Sequence, residues 1–118
     1  MDAEKFVASL RDLVAAPAAD GTLTQIERPS GRNVAADRKE RAAWLAALSS
    51  EDRAHVEYAV REAANAAVFG LLCVLDGARV IEDGPRGHLE LHYQKDGSDT
   101  LLSSSDLSEP APSLHELF

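Results

Sequence analysis

The sequence predicts an α+β fold, with two or three helices packed on one face of a small antiparallel β-meander in two layers. Three observations carry this. Apolar residues recur at helical spacing through Leu75, the period changes from 3.6 to 2 after Gly77, and Asp-Gly pairs punctuate the second half. The 118 residues fit one domain, given that domains most often span about 100–150. That domain reads as mainly helical over 1–75, β-meander over 76–104 and tail over 105–118.

The first helix is expected over residues 2–16. Phe6, Val7, Leu10, Leu13 and Val14 form one stripe, and the acids Asp2 and Glu4 suit a helix N-terminus. Pro17 then predicts a stop, since the residue before a proline is pushed out of the helical region. Residues 18–33 carry turn signals at both ends and a β-leaning piece, Thr22 to Ile26, which reads as an extended connection or weak edge strand.

Strong helix formers from Ala35 to Leu48 predict a second helix, with Trp44, Leu45 and Leu48 on one side. Trp44 is expected to anchor the helical core, the other reading being a recognition patch with Tyr58. Ser49 is placed to cap a third helix over about Ser50–Leu75. Its expected inward stripe is Val56, Val60, Ala63, Ala67, Leu71 and Val74, supported by Ala59 and Ala64, with many positions small enough for a close helix neighbour. Gly77 should end it in the left-handed conformation.

Beyond Gly77, "ARVIE", "HLELHYQ" and "DTLLS" read as three strands joined through "DGPRG" and "KDGS". In the middle run Leu89, Leu91 and Tyr93 share one face, and His88, Glu90 and His92 the other. The tail "SLHELF" can form a single turn that pins Leu114, Leu117 and Phe118 onto the body.

Charge is the most informative global property. The net charge is −8, of which residues 76–118 carry −6, with nine acids against three bases. Such a surface disfavours nucleic acid, whose binding rests on neutralising phosphates. It favours a basic protein partner and speeds the encounter. Candidate contact residues are Glu82, Asp83, Glu90, Asp96 and Asp99, all at or near the predicted turns and strands.

Chemistry-bearing motifs are sparse. Two imidazoles and a carboxylate on alternate strand positions, His88, Glu90 and His92, are the one set that suggests a metal or acid–base site. Against it stands the ordinary polar face of a half-buried sheet. Cys73 lies near a helix C-terminus among leucines and valine, where a thiolate is disfavoured, so it reads as core. His55 beside Asp52 reads as an exposed helix face. No catalytic residue and no cofactor are expected.

A single cysteine suits a reducing compartment. The acidic N-terminus does not resemble a signal peptide. The uninterrupted apolar run Ala66–Leu75 is short against the roughly 20 residues that span a bilayer. A cytoplasmic protein away from membranes is the expectation.

The stretch "HVEYAVREAANAAVFGLLCVLDGARVIED", followed by a short sheet and a terminal "LHELF", resembles small, uncharacterised bacterial cytosolic proteins, some of them similar to the immunity partners encoded beside secreted toxins. That resemblance implies a non-catalytic protein that neutralises a basic toxin domain through its acidic surface. The residues alone leave two other readings open. One is a metal-binding protein or small enzyme using His88, Glu90 and His92; the other is a self-associating subunit, such as a homodimer.

Overall fold

A computed structural model describes residues 1–118. The class is α+β, as expected. The elements run α1 (Ala3–Leu10), a π-helical turn (Arg11–Ala15), α2 (Ala16–Glu27), α3 (Ala36–Ala47), α4 (Ser50–Leu75), β1 (Glu90–Lys95), β2 (Ser98–Ser104) and α5 (Leu114–Leu117). The chain forms two compact units, Leu13–Asn65 and the remainder, Met1–Asp12 with Ala66–Phe118.

The N-terminal helix does not stop at Pro17. Asp2 caps α1 by accepting from the Lys5 N–H at 2.8 Å, and helical backbone continues through the π turn to Glu27. A proline inside an α-helix lacks one N–H and crowds the carbonyl four residues back. Here that carbonyl belongs to Leu13, inside the π turn, where the wider coil relieves the crowding. Residues 18–27 are therefore helix rather than an extended connection. Thr22 donates to the Ala18 carbonyl at 2.7 Å, within the helix. Ala15, Ala19 and Leu23 are buried every fourth residue, and packing of that stripe overrides the β-leaning composition.

In the unit Leu13–Asn65, α3 packs on α2, and Leu45 is the buried residue of α3. Arg53 on α4 pairs with Glu27 at the end of α2 and with Glu57 one turn on, the latter at 3.2 Å. Trp44 points outward and is 56% exposed, so it does not anchor this core; Leu45, the next residue, takes that place at 1%.

α4 has the expected bounds. Ser49 Oγ accepts from the Asp52 N–H at 3.1 Å at its start. At its end Gly77 has φ 75°, and the Arg79 N–H donates to the Cys73 carbonyl at 3.0 Å. The expected inward stripe is only partly inward. Val56, Val60, Val74 and the supporting Ala64 are half-buried, but Ala59, Ala63, Ala67 and Leu71 are exposed, while Val68 and Leu72 also face inward. Small residues cover most of this helix surface, so composition allows either face, and the core that Leu72 joins and Val68 packs against decides.

At 26 residues, α4 contains an 18-residue stretch of mean hydropathy 1.4, 17% of it buried, which is long and apolar enough to cross a membrane by length and composition alone. The uninterrupted run understated this because Arg61, Glu62 and Asn65 interrupt the composition without ending the helix. Core helices of soluble proteins satisfy the same measure.

In the other unit, Ala3, Val7, Leu72 and Leu114 form the buried core, lined by Phe6, Leu10, Val68, Leu75, Leu91 and Phe118. The sheet has two strands, not three. β1 and β2 pair antiparallel across a two-residue turn, Asp96-Gly97, both at positive φ (51° and 78°). This is the geometry that Asp-Gly favours in a hairpin. "ARVIE" lies outside the sheet. A bulge opposite Leu91/His92 inserts Leu102 into β2, so Leu102, Ser103 and Ser104 are buried in succession. The tail forms its single turn: Leu114 is fully buried, Phe118 packs on the core, and Leu117 stays 40% exposed. Arg11 donates to the Phe118 carbonyl and sits over its ring, 5.2 Å from the centroid.

Candidate functional site

Two polar clusters and a groove occur in the unit that holds the hairpin, and they differ in chemistry. The first is buried. Asp76 follows the last residue of α4, and its side chain is 4% exposed. One carboxylate oxygen accepts from Ser103 Oγ at 2.5 Å; the other accepts from the His115 backbone N–H and meets His115 Nδ1, both at 2.8 Å. A buried carboxylate is tolerated only with such partners.

Serine, histidine and aspartate together invite comparison with a nucleophilic triad. In a triad, the hydroxyl bonds the imidazole nitrogen opposite the carboxylate. Here Ser103 bonds the carboxylate itself, and Ser113 Oγ meets Nδ1, the nitrogen already held by Asp76, at 3.2 Å. The cluster therefore clasps the end of α4, β2 and α5 together. Sequence reading missed it, because Asp76 and His115 are 39 positions apart and nothing local to either signals the other.

The second cluster lies on the exposed face of the hairpin. His92 Nε2 meets Glu90 at 3.0 Å and Nδ1 meets Asp99 at 2.6 Å. Alternation along β1 puts Glu90 and His92 on one face, and β2 delivers Asp99 beside them. The hydrogen bond to Glu90, then that to Asp99, raises the His92 pKa above its ordinary value. Hydrogen bonds from Gln94 and then His92 lower the Asp99 carboxyl.

Of the predicted metal set, Glu90 and His92 come together, but His88 precedes the strand and lines a different surface. No group of three His, Cys, Asp or Glu side chains is placed to hold a metal ion. Both ring nitrogens of His92 are occupied by carboxylates, an arrangement that suits an imidazolium held between two anions.

The third feature is a groove of about 510 Å3 between the segment 79–89 and the segment 105–108. Val80, Ile81, Leu89 and Leu107 line it, exposed by 52, 67, 42 and 81%. Arg79, Arg86 and His88 also line it, with the carboxylates of Glu82 and Asp106. Glu82 accepts from the Gly87 N–H at 3.1 Å. Asp106 accepts from the hydroxyl and N–H of Ser108, and these bonds, then the nearby His88, lower its pKa.

All five expected contact acids, Glu82, Asp83, Glu90, Asp96 and Asp99, are exposed. Asp96 and Asp99 sit at and beside the hairpin turn, Glu90 at the far end of β1, and Glu82 and Asp83 in the segment that borders the groove. Cys73 is buried as a free thiol. Trp44 and Tyr58 are both exposed, at 56 and 65%. No protein-family model, curated protein or solved structure matches the chain.

Proposed function

We propose that this chain is a non-catalytic protein-binding module that engages a basic partner through the acidic face of its hairpin and the preceding segment. The observation that carries this reading is the exposure of all five acids in a region of net charge −6. Charged side chains at a rim steer the encounter, and apolar side chains beside them supply the buried area that holds a complex. Val80, Ile81 and Leu107 stand beside Glu82 and Asp83 in that role. The immunity-type form, in which the acids occlude the basic active site of a toxin domain, is the sharpest version of this reading. It goes with a cytoplasmic location, which the presence of a single cysteine supports.

The test is capture from an extract of the source organism at low and high salt, alongside a variant carrying Glu82→Gln, Asp83→Asn, Asp96→Asn and Asp99→Asn. The expected result is a basic protein that is retained at low salt, released at high salt and lost by the variant. A partner whose retention ignores both salt and the four substitutions would refute this reading.

Self-association is a second reading, favoured by Leu71, 59% exposed on α4 beside the small residue Ala67. Light scattering across a concentration series distinguishes it. A dimer that Leu71→Glu dissociates would support it, and a monomer throughout would end it.

A further inference from the structure

Four of the chain's exposed large apolar side chains, Val80, Ile81, Leu89 and Leu107, line one groove. Its volume of about 510 Å3 falls within the roughly 300–1,000 Å3 typical of small-molecule sites. Of the three basic residues after Asp76, two line this groove, Arg79 and Arg86. The guanidiniums of Arg41 and Arg53 have carboxylate partners, and that of Arg11 has carbonyl partners; those of Arg79 and Arg86 have none. The carboxylates in the groove differ, since Glu82 and Asp106 are turned onto backbone N–H groups. The groove is thus lined by two arginines without a carboxylate partner, while Glu82 and Asp106 each have one oxygen on a backbone N–H.

Arg79 is also held in place. Its guanidinium lies against Gly70 of α4, so near that a Cβ there would be 2.7 Å from Nη1. Its backbone N–H is fixed to the Cys73 carbonyl at the helix exit.

We propose that this groove binds an aliphatic carboxylate, a fatty acid whose chain lies along Val80, Ile81, Leu89 and Leu107 and whose head group is taken by Arg79 and Arg86. Guanidinium forks match a carboxylate in two-point geometry, and the chain gains from leaving water. An extended peptide fits less well. Strand addition needs a continuous row of backbone donors and acceptors, and Pro85, with no N–H, interrupts the segment 79–89. This site shares Val80, Ile81 and Leu107 with the contact proposed above but rests on Arg79 and Arg86 rather than on the hairpin acids, which the experiment below does not involve.

The experiment is calorimetric titration of the full chain with decanoate, decanol and decyltrimethylammonium, each below its aggregation concentration. One decanoate per chain should bind, at least about tenfold more tightly than decanol, a difference of about 1.4 kcal/mol. The cationic amphiphile should bind more weakly than either. Arg79→Gln and Arg86→Gln should each erode the preference for decanoate over decanol several-fold while leaving decanol unchanged. Ile81→Asp should abolish binding of both, with circular dichroism confirming the fold of each variant. Equal affinity for decanoate and decanol would overturn the proposal, as would several ligands per chain or binding that survives Ile81→Asp. A dimer seen by light scattering that Ile81→Asp dissociates, with no decanoate bound, would assign the groove to a second copy and overturn it equally.

Discussion

Asp83-Gly84 and Asp96-Gly97 are the same dipeptide set between similar apolar and polar runs, but only the second closes a hairpin. At Asp96-Gly97 both residues take positive φ, and Lys95 and Ser98 pair across the turn. At Asp83-Gly84 only the glycine does, with φ 78°. The residue that follows accounts for the difference. Closing a two-residue turn requires an N–H from the position after glycine; Ser98 has one and Pro85 does not. Glu82 instead turns its side chain onto the Gly87 N–H. The strand that fails to pair leaves Val80 and Ile81 without cross-strand neighbours, and the groove results. One missing hydrogen-bond donor thus separates a sheet from a candidate binding surface.

A third Asp-Gly pair, Asp76-Gly77, serves neither purpose, and substitutions there should have the largest effects. Gly77 is at φ 75°, and a Cβ would lie 2.5 Å from the Ser105 carbonyl oxygen, a backbone atom. Left-handed strain of about 1–2 kcal/mol and the forced backbone shift together should make Gly77→Ala cost about 3 kcal/mol or more. Urea denaturation measures this, and a loss below about 1 kcal/mol would show that the chain exits α4 differently.

Asp76→Ala should follow, at roughly 2–3 kcal/mol, because the buried Ser103 hydroxyl and the His115 N–H lose their acceptor. Exchange of the His115 amide should quicken along with the loss of stability. If that amide stays protected, the clasp on α5 is not what holds the tail.

Next come the two matched turns. Gly97→Ala should cost about 1 kcal/mol through its φ of 78° alone, since nothing lies within 4 Å to be struck. Pro85→Ser restores the missing N–H with a stability change within about 0.5 kcal/mol. A protected amide at position 85 of the variant, and slower amide exchange in 79–82 than in the parent, are the expected signature. Unchanged exchange there would mean that proline is not what keeps the third strand from forming.

The smallest effect is that of pH on the hairpin. His92 has a raised folded pKa, so its contribution is fully present below the ordinary imidazole value of about 6.5 and is lost as pH rises through the raised value. Asp99 works in the opposite sense: its contribution is present above the ordinary carboxylate range and is lost as pH falls through the lowered value. An NMR titration should place the His92 midpoint above the ordinary value, and Asp99→Asn should bring it down. An identical midpoint in the variant would remove Asp99 from the pair.

Much of the candidate surface was legible in the sequence, and part was not. Exposure of Glu82, Asp83, Glu90, Asp96 and Asp99 follows from charge and turn placement, and period-2 alternation puts Glu90 beside His92. Asp99 as the partner of His92 needed the strand register, and that register includes a bulge at Leu102 that alternation does not signal. The groove was illegible because "ARVIE" has strand composition and only its failure to pair exposes it. Pro85 was the available signal.

By itself the sequence determined the α+β class, the limits of α4 between Ser49 and Gly77, the Asp96-Gly97 turn and the single turn of the tail. These rest on caps, turn dihedrals and periodicity, interactions made between residues close along the chain. Tertiary structure alone decided that the helix runs through Pro17 to Glu27, that Val68 and Leu72 face inward while Ala63, Ala67 and Leu71 face outward, and that Asp76 is joined to Ser103 and His115. Each of those outcomes depends on burial against residues distant in sequence, and a buried stripe or a buried carboxylate is settled only by the partner that covers it.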